Sequence, residues 1–120
     1  MKIAITSRGQ GLESAVDPRF GRCEWFILAD IDTGENRAVS NDQNLNSVQG
    51  AGIQAAEKAS RLGVEAVITG HCGPKAFRVL KAAGIRVFYG AEDTVGETLN
   101  RFKKGMLEEA KEADVEGHWM

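Results

Sequence analysis

Short apolar alternations come first along this chain, and helical stripes come later. In residues 2–7, KIAITS, Ile3 and Ile5 point one way and Ala4 and Thr6 the other, the period of a strand. Residues 24–32, EWFILADID, predict a second strand, 33–36 a hairpin-like turn, and 37–41 a third strand. From 50 to 62 the period changes: Ile53, Ala56, Ala59 and Leu62 recur at helical spacing, and Gly63 ends the run. A βαβ unit follows, with strand 64–69, helix 74–83 and strand 85–89. Pro74 suits the first helical position, and Gly84 suits the end. The last helix, 94–104, carries Val95, Leu99 and Phe102 as its apolar stripe, and Thr94 with Glu97 forms a capping box. Segments 8–22 and 42–49 are polar or glycine-rich and predict loops. Residues 1–105 form the expected single domain, and the acidic stretch 106–120 is expected to be a tail or a frayed helical extension.

The order β-β-β-α-β-α-β-α opens with an antiparallel meander and closes with crossovers. Crossovers join parallel strands with a right-handed connection. The expected fold is therefore α/β: a five-stranded mixed sheet in order 3-2-1-4-5, strand two antiparallel to the rest, flanked by helices in a ribonuclease H-like layout. Segments 7–23, 41–50, 70–74 and 89–94 then share one edge. That edge is the carboxyl end of the parallel strands, where open sheets place ligands. Cys23 and Cys72 flank strand one there, with backbones about 10 Å apart, too far for a disulfide.

Composition narrows the classes. A chain of 120 residues, 42% hydrophobic and 27% charged, fits one globular domain. Its net charge of −2 carries no nucleic-acid signature. With two cysteines there is no disulfide framework, and no apolar run reaches membrane-span length. MKIAITS has no apolar leader core, so the expected location is cytoplasmic and reducing, with both thiols free.

Three stretches on the loop edge carry candidate chemistry. In TGHCGPKAF, Gly70 and Gly73 expose backbone beside a helix start that favours anions. Cys72 at that helix start is expected to have a lowered pKa, and His71 can donate a hydrogen bond or ligate. The same turn also reads as ordinary βα geometry with Cys72 as core filler. In VDPRFGRC, Arg19 and Arg22 bracket Phe20 before Cys23, which suits a polarizable anion. Alternatively, Asp17 pairs with one arginine and Phe20 covers the sheet edge. Gly50 and Gly52 open a helix with further free N–H groups, or simply allow the chain to turn tightly into it.

Several functions are excluded. Strand one has no carboxylate, and Asp30 and Asp32 lie at the far end of strand two, so two-metal nuclease chemistry has no acid cluster. A phosphate-binding P-loop, a nucleophile elbow and a Cys-x-x-Cys pair are all missing. Cys23, His71, Cys72 and His118 have no structural-zinc spacing. An enzyme using Cys72 as nucleophile has only His71 as a base, on an adjacent and differently directed position.

The stretches MKIAITS, VDPRFGRCEWFILADID, the run from Gly50 to Gly90, and TVGETL resemble the dinitrogenase iron–molybdenum cofactor biosynthesis family. That family includes NifX-like carriers and the C-terminal domain of NifB-type maturases. The chain looks most like its stand-alone, orange-protein-like branch. The resemblance implies a ribonuclease H-like fold and non-catalytic holding of an anionic metal–sulfur cluster. The leading cluster is a molybdenum–copper sulfide, with iron–sulfur or iron–molybdenum clusters as alternatives. Arg19, Phe20, Arg22, Cys23, Gly50, Gly52, His71, Cys72 and Gly73 are the implied cluster-binding residues, with Cys72 and His71 as candidate metal ligands. Where nitrogenase-branch members carry His-Phe-Gly, this chain has Arg19-Phe20-Gly21, so a direct histidine ligand is replaced by a cation. The implied partners are the cluster itself and a P-loop ATPase or cofactor-maturation protein, with no nucleic acid and no membrane. A partner-binding or regulatory domain in cofactor maturation is the alternative function.

Overall fold

The computed structural model describes residues 1–90 and 93–114. The 89–94 loop and the 106–120 tail fall partly outside that range, as does His118. Six strands and three helices follow one another: β1 (Lys2–Ser7), β2 (Trp25–Asp30), β3 (Asn36–Ser40), α1 (Ala51–Arg61), β4 (Ala66–Ile68), α2 (Pro74–Ala82), β5 (Arg86–Tyr89), α3 (Val95–Lys103) and β6 (Glu108–Glu109). The sheet order is β3-β2-β1-β4-β5-β6.

β1 lies at the centre because it is apolar on both faces. It pairs antiparallel with β2 (Lys2 opposite Asp30, Ser7 opposite Trp25) and parallel with β4 (Ile3 beside Ala66). Its alternation splits the core. Ala4, Phe26, Leu28, Val67 and Val87 face the small alanines of α1 and the Ala76, Phe77 and Leu80 face of α2. Ile3, Ile5, Ile27, Ile68 and Phe88 face Val95 and Leu99 of α3. The result is helices on both sides of one open mixed sheet. Thr94 caps α3 as expected, its Oγ1 accepting from the Glu97 N–H at 3.1 Å.

One expectation is corrected. The sheet has six strands, not five, and two of them, β2 and β6, run against their neighbours. Nor do residues 106–114 extend α3 as a helix. Gly105, at φ 70°, turns the chain back into the left-handed region that glycine adopts freely. Glu109 then pairs opposite Phe88, the Ala110 N–H donates to the Val87 carbonyl at 2.7 Å, and Ala110 is buried. An acidic sequence can pair at this edge because its side chains stay in water, and Arg86 meets Glu109 there at 2.7 Å. Ala110, with the partly buried Leu107 and Ala113, supplies the apolar contacts. Charge composition does not register isolated apolar positions of that kind.

Candidate functional site

The loop from Asp17 to Cys23 is held in place before any ligand is considered. Thr6 and Thr69, both buried at the ends of β1 and β4, anchor it. Thr6 Oγ1 donates to the Asp17 carbonyl at 2.6 Å and accepts from Thr69 Oγ1 at 3.0 Å. The Phe20 N–H donates to the His71 carbonyl (3.2 Å) and the His71 N–H to the Pro18 carbonyl (2.7 Å), so Arg19 and His71 run side by side. The fit is close at two glycines. A Cβ on Gly70 would stand 2.8 Å from Pro18 Cα, and one on Gly21 would stand 2.7 Å from Gly52 N. Gly21 and Gly52 therefore let the loop pack onto the first turn of α1.

Beside this loop opens a cleft of about 830 Å³, walled by Arg19, Arg22, Cys23 and Trp25 on one side and by Asn41, Gln43 and Ala51 on the other. That volume is in the range of small-molecule sites. Polar side chains set its shape. Gln43 Nε2 donates to the Gly21 carbonyl (2.6 Å) and the Ala51 carbonyl (3.1 Å), and Asn41 Nδ2 donates to the Cys23 carbonyl (2.9 Å). Asn41 Oδ1 is buried without a hydrogen-bond partner. As an acceptor it suits a ligand group or water bearing a hydrogen, and it offers an anion nothing. The start of α1 has no side-chain cap at Gly50 and no acidic residue in its first turn, which leaves its N–H groups and positive end uncompensated by side chains.

The charges are unequal. Arg19 is partly answered by buried Asp17, whose Oδ1 lies 3.6 Å from Arg19 Nε and accepts the Arg19 N–H at 3.0 Å. The alternative of an Asp17–Arg19 pair is therefore what forms. Arg22 is exposed and has no ion pair among the described residues. Glu24 and Asp42 also border the cleft. A polyanion would therefore sit toward Arg22 and the α1 start, away from those carboxylates.

The expected site residues divide. Arg19, Arg22 and Cys23 line the cleft, with Gly50 at the adjoining N-cap. Gly52 is buried beneath Gly21. Phe20 offers no ring face to a ligand, because it is fully buried with its ring centroid 5.9 Å from that of Phe26. His71, Cys72 and Gly73 stand behind Arg19 in the neighbouring turn, outside the cleft lining.

In that turn the lowered cysteine pKa is also overturned. Burial pushes the Cys72 thiol up to about 12, and the Asp114 carboxylate adds in the same direction. Cys23 is raised too, by burial first and then by Asp17, against a hydrogen bond from Asn41. A helix start lowers a thiol pKa only where solvent also reaches the sulfur. Here Cys72 is fully buried, and Asp114 has already answered the turn's N–H. Both thiols are protonated at neutral pH. Among the described residues no three His, Cys, Asp or Glu side chains gather into a metal-ligand set.

Trp25, Asn41, Gln43 and Asp114 escaped the sequence reading. The alternation of Trp25 with Phe26 predicted one in the core and the other under a helix, whereas Trp25 borders the cleft. Asn41 and Gln43 sit in a polar loop with no periodicity, and Asp114 is one acid among many.

Comparison with known proteins gives the chain a family and structural neighbours. The family profile described as dinitrogenase iron-molybdenum cofactor matches residues 1–105. The apo form of the orange protein from Desulfovibrio gigas superposes with a TM-score of 0.89 at 39% identity, covering 95% of this chain and 96% of that one. A putative NifB protein from Thermotoga superposes with a TM-score of 0.81 at 35% identity, covering 97% and 98%. An uncharacterized protein of Methanocaldococcus jannaschii is 34% identical over 110 residues, 90% of each chain.

Proposed function

Because this chain belongs to the dinitrogenase iron–molybdenum cofactor family, we propose that it is a non-catalytic carrier whose cargo is an anionic metal–sulfur cluster. The family and its structural neighbours point to a cofactor-binding or carrier role. The finer reading is a molybdenum–copper sulfide cluster held by charge and hydrogen bonds in a cytoplasmic protein on a ribonuclease H-like scaffold. Iron–sulfur or iron–molybdenum clusters are the alternative cargo. One observation carries this reading: Arg19, Arg22 and the uncapped start of α1 converge on one cleft.

The residues present fit a polyanion held without covalent attachment. Arg22 supplies an exposed guanidinium, α1 supplies backbone N–H groups, and the indole of Trp25 gives a weakly hydrated wall. Cys23 lines the cleft as a thiol, not a thiolate, so it contributes a polarizable contact and no charge. The His71 backbone holds the loop that carries Arg19. As a ligand, His71 Nδ1 would first have to leave Asp114, and the buried Cys72 thiol would first have to be uncovered.

The test is to add tetrathiomolybdate and copper(I) to the purified protein without oxygen, desalt, and record the visible spectrum with metal content. Retained charge-transfer bands with stoichiometric molybdenum and copper are expected. A colourless, metal-free protein would refute the molybdenum–copper cargo. Failure with iron–sulfur donors as well would refute the carrier reading.

A second reading has its own support. Leu45 and Val48, on the loop at the cleft mouth, are 93% and 103% exposed. Two apolar side chains held in water beside a cleft suit a protein that docks there, such as a P-loop ATPase or a cofactor-maturation protein. Replacing both with serine should leave cluster retention unchanged and weaken partner binding if that docking occurs.

A further inference from the structure

The turn between β4 and α2 already holds an anion, and the anion belongs to this chain. Asp114 Oδ1 accepts the Cys72 N–H at 2.9 Å, and Asp114 Oδ2 lies 2.8 Å from His71 Nδ1. The Asp114 N–H donates in return to the Cys72 carbonyl at 3.2 Å. The segment leading there is tied down along its length. Glu109 pairs with Arg86, Ala110 is buried, Tyr89 Oη donates to the Glu112 carbonyl at 3.1 Å, and Ala113 packs against the cluster that contains Cys72. The Cys72 N–H, just before the Gly73 N-cap of α2, is the backbone donor that Asp114 holds.

We infer that residues 106–114 form an autoinhibitory strap. Its Asp114 carboxylate closes the 71–73 turn over Cys72 and competes with an external dianion for the same donors. The geometry is that of a captured oxyanion: two carboxylate oxygens on two adjacent residues, beside a helix start. The strap is also the weak part of the fold. Its strand is two residues long, its ion pair is exposed, and of residues 106–114 only Ala110 is buried, with Leu107 and Ala113 partly so. Segments of that kind open locally while the rest of a protein stays folded. Opening would take Asp114 away from the Cys72 N–H and His71 Nδ1 together and uncover the thiol beside the loop that carries Arg19. The inference rests on the carrier reading for the identity of the natural anion, but not for the existence of the strap.

The test reads the strap without any cluster. The full chain is alkylated with iodoacetamide at fixed pH, and peptide mass mapping follows Cys72 and Cys23 separately. Asp114→Ala should speed Cys72 modification on the order of tenfold, the scale of one lost charge-assisted hydrogen bond, with Cys23 unchanged. Tyr89→Phe, which releases the strap at a second point, should move Cys72 in the same direction by less. Millimolar molybdate, a dianion that does not consume the reagent, should slow Cys72 again in Asp114→Ala and leave Cys23 alone. An unchanged Cys72 rate in both variants, or a matching acceleration of Cys23, would overturn the strap. Absence of molybdate protection would overturn the competition. Failure of the carrier reading shows separately, as a colourless protein after cluster loading.

Discussion

Raising the pH should unfold this protein through its two buried thiols. An unfolded cysteine titrates near the ordinary value of 9.0, whereas folded Cys72 titrates at about 12. The raised pKa means the folded state keeps a proton that the unfolded state releases. Its contribution to stability is therefore complete below pH 9 and falls as pH rises toward 12. At pH 10 the unfolded thiol is about tenfold ionised over neutral, a loss of roughly 1.4 kcal/mol. Cys23 is raised as well and adds a loss of similar size, and Tyr89, raised chiefly by burial, adds in the same sense. A drop of about 3 kcal/mol between pH 7 and 10 is a large share of the ~5–15 kcal/mol that holds a domain of this size together. Urea unfolding at pH 7, 8, 9 and 10 should show the midpoint falling steeply above pH 8.5 with an unchanged slope. Cys72→Ala should remove about half of that pH dependence, whatever it costs at pH 7. A flat profile, or one that Cys72→Ala leaves intact, would refute the assignment of buried neutral thiols.

Three further outcomes follow from the geometry. Arg22→Ala should weaken tetrathiomolybdate retention on the order of tenfold, more at low salt than at high, and by more than Arg19→Ala, because Asp17 already answers Arg19; equilibrium dialysis at two ionic strengths checks both. Gly21→Ala should destabilise by about 1–3 kcal/mol, since its Cβ would meet backbone atoms of Gly52 at 2.7 and 2.8 Å, whereas Gly50→Ala, with open space around it, should cost less than about 1 kcal/mol in the same urea titration. Thr94→Ala should cost about 1 kcal/mol through loss of the α3 cap, read as a lower thermal midpoint.

Much of the fold was legible because period and burial agree. The predicted strand 2–7 coincides with β1, and predicted helices 50–62, 74–83 and 94–104 contain α1, α2 and α3 with one residue or so of overhang. The C-terminal return was not legible. Its strand is two residues long, and the bonds that hold it join Glu109 to Arg86, Glu112 to Tyr89 and Asp114 to Cys72, 23 to 42 positions away. Local patterning has no access to such separations.

Within the site, charge was readable and environment was not. Arg19 and Arg22 could be picked out by type and spacing, since a guanidinium stays charged wherever it lies. Cys72 and Phe20 could not be assigned in that way. Whether a thiol ionises or a ring meets a ligand depends on solvent, and solvent is excluded by residues distant in sequence. By itself the sequence determined the elements from β1 to α3, the sheet order of the first five strands, the meeting of the loops on one edge, and the kinship with the dinitrogenase iron–molybdenum cofactor family. Only the tertiary structure decided that Gly21 packs on Gly52, that Arg22 has no ion pair among the described residues, that both thiols are neutral, and that Asp114 fills the turn beside them. Hydrophobic period is a property of neighbours along the chain. Desolvation and hydrogen-bond partnership are properties of neighbours in space.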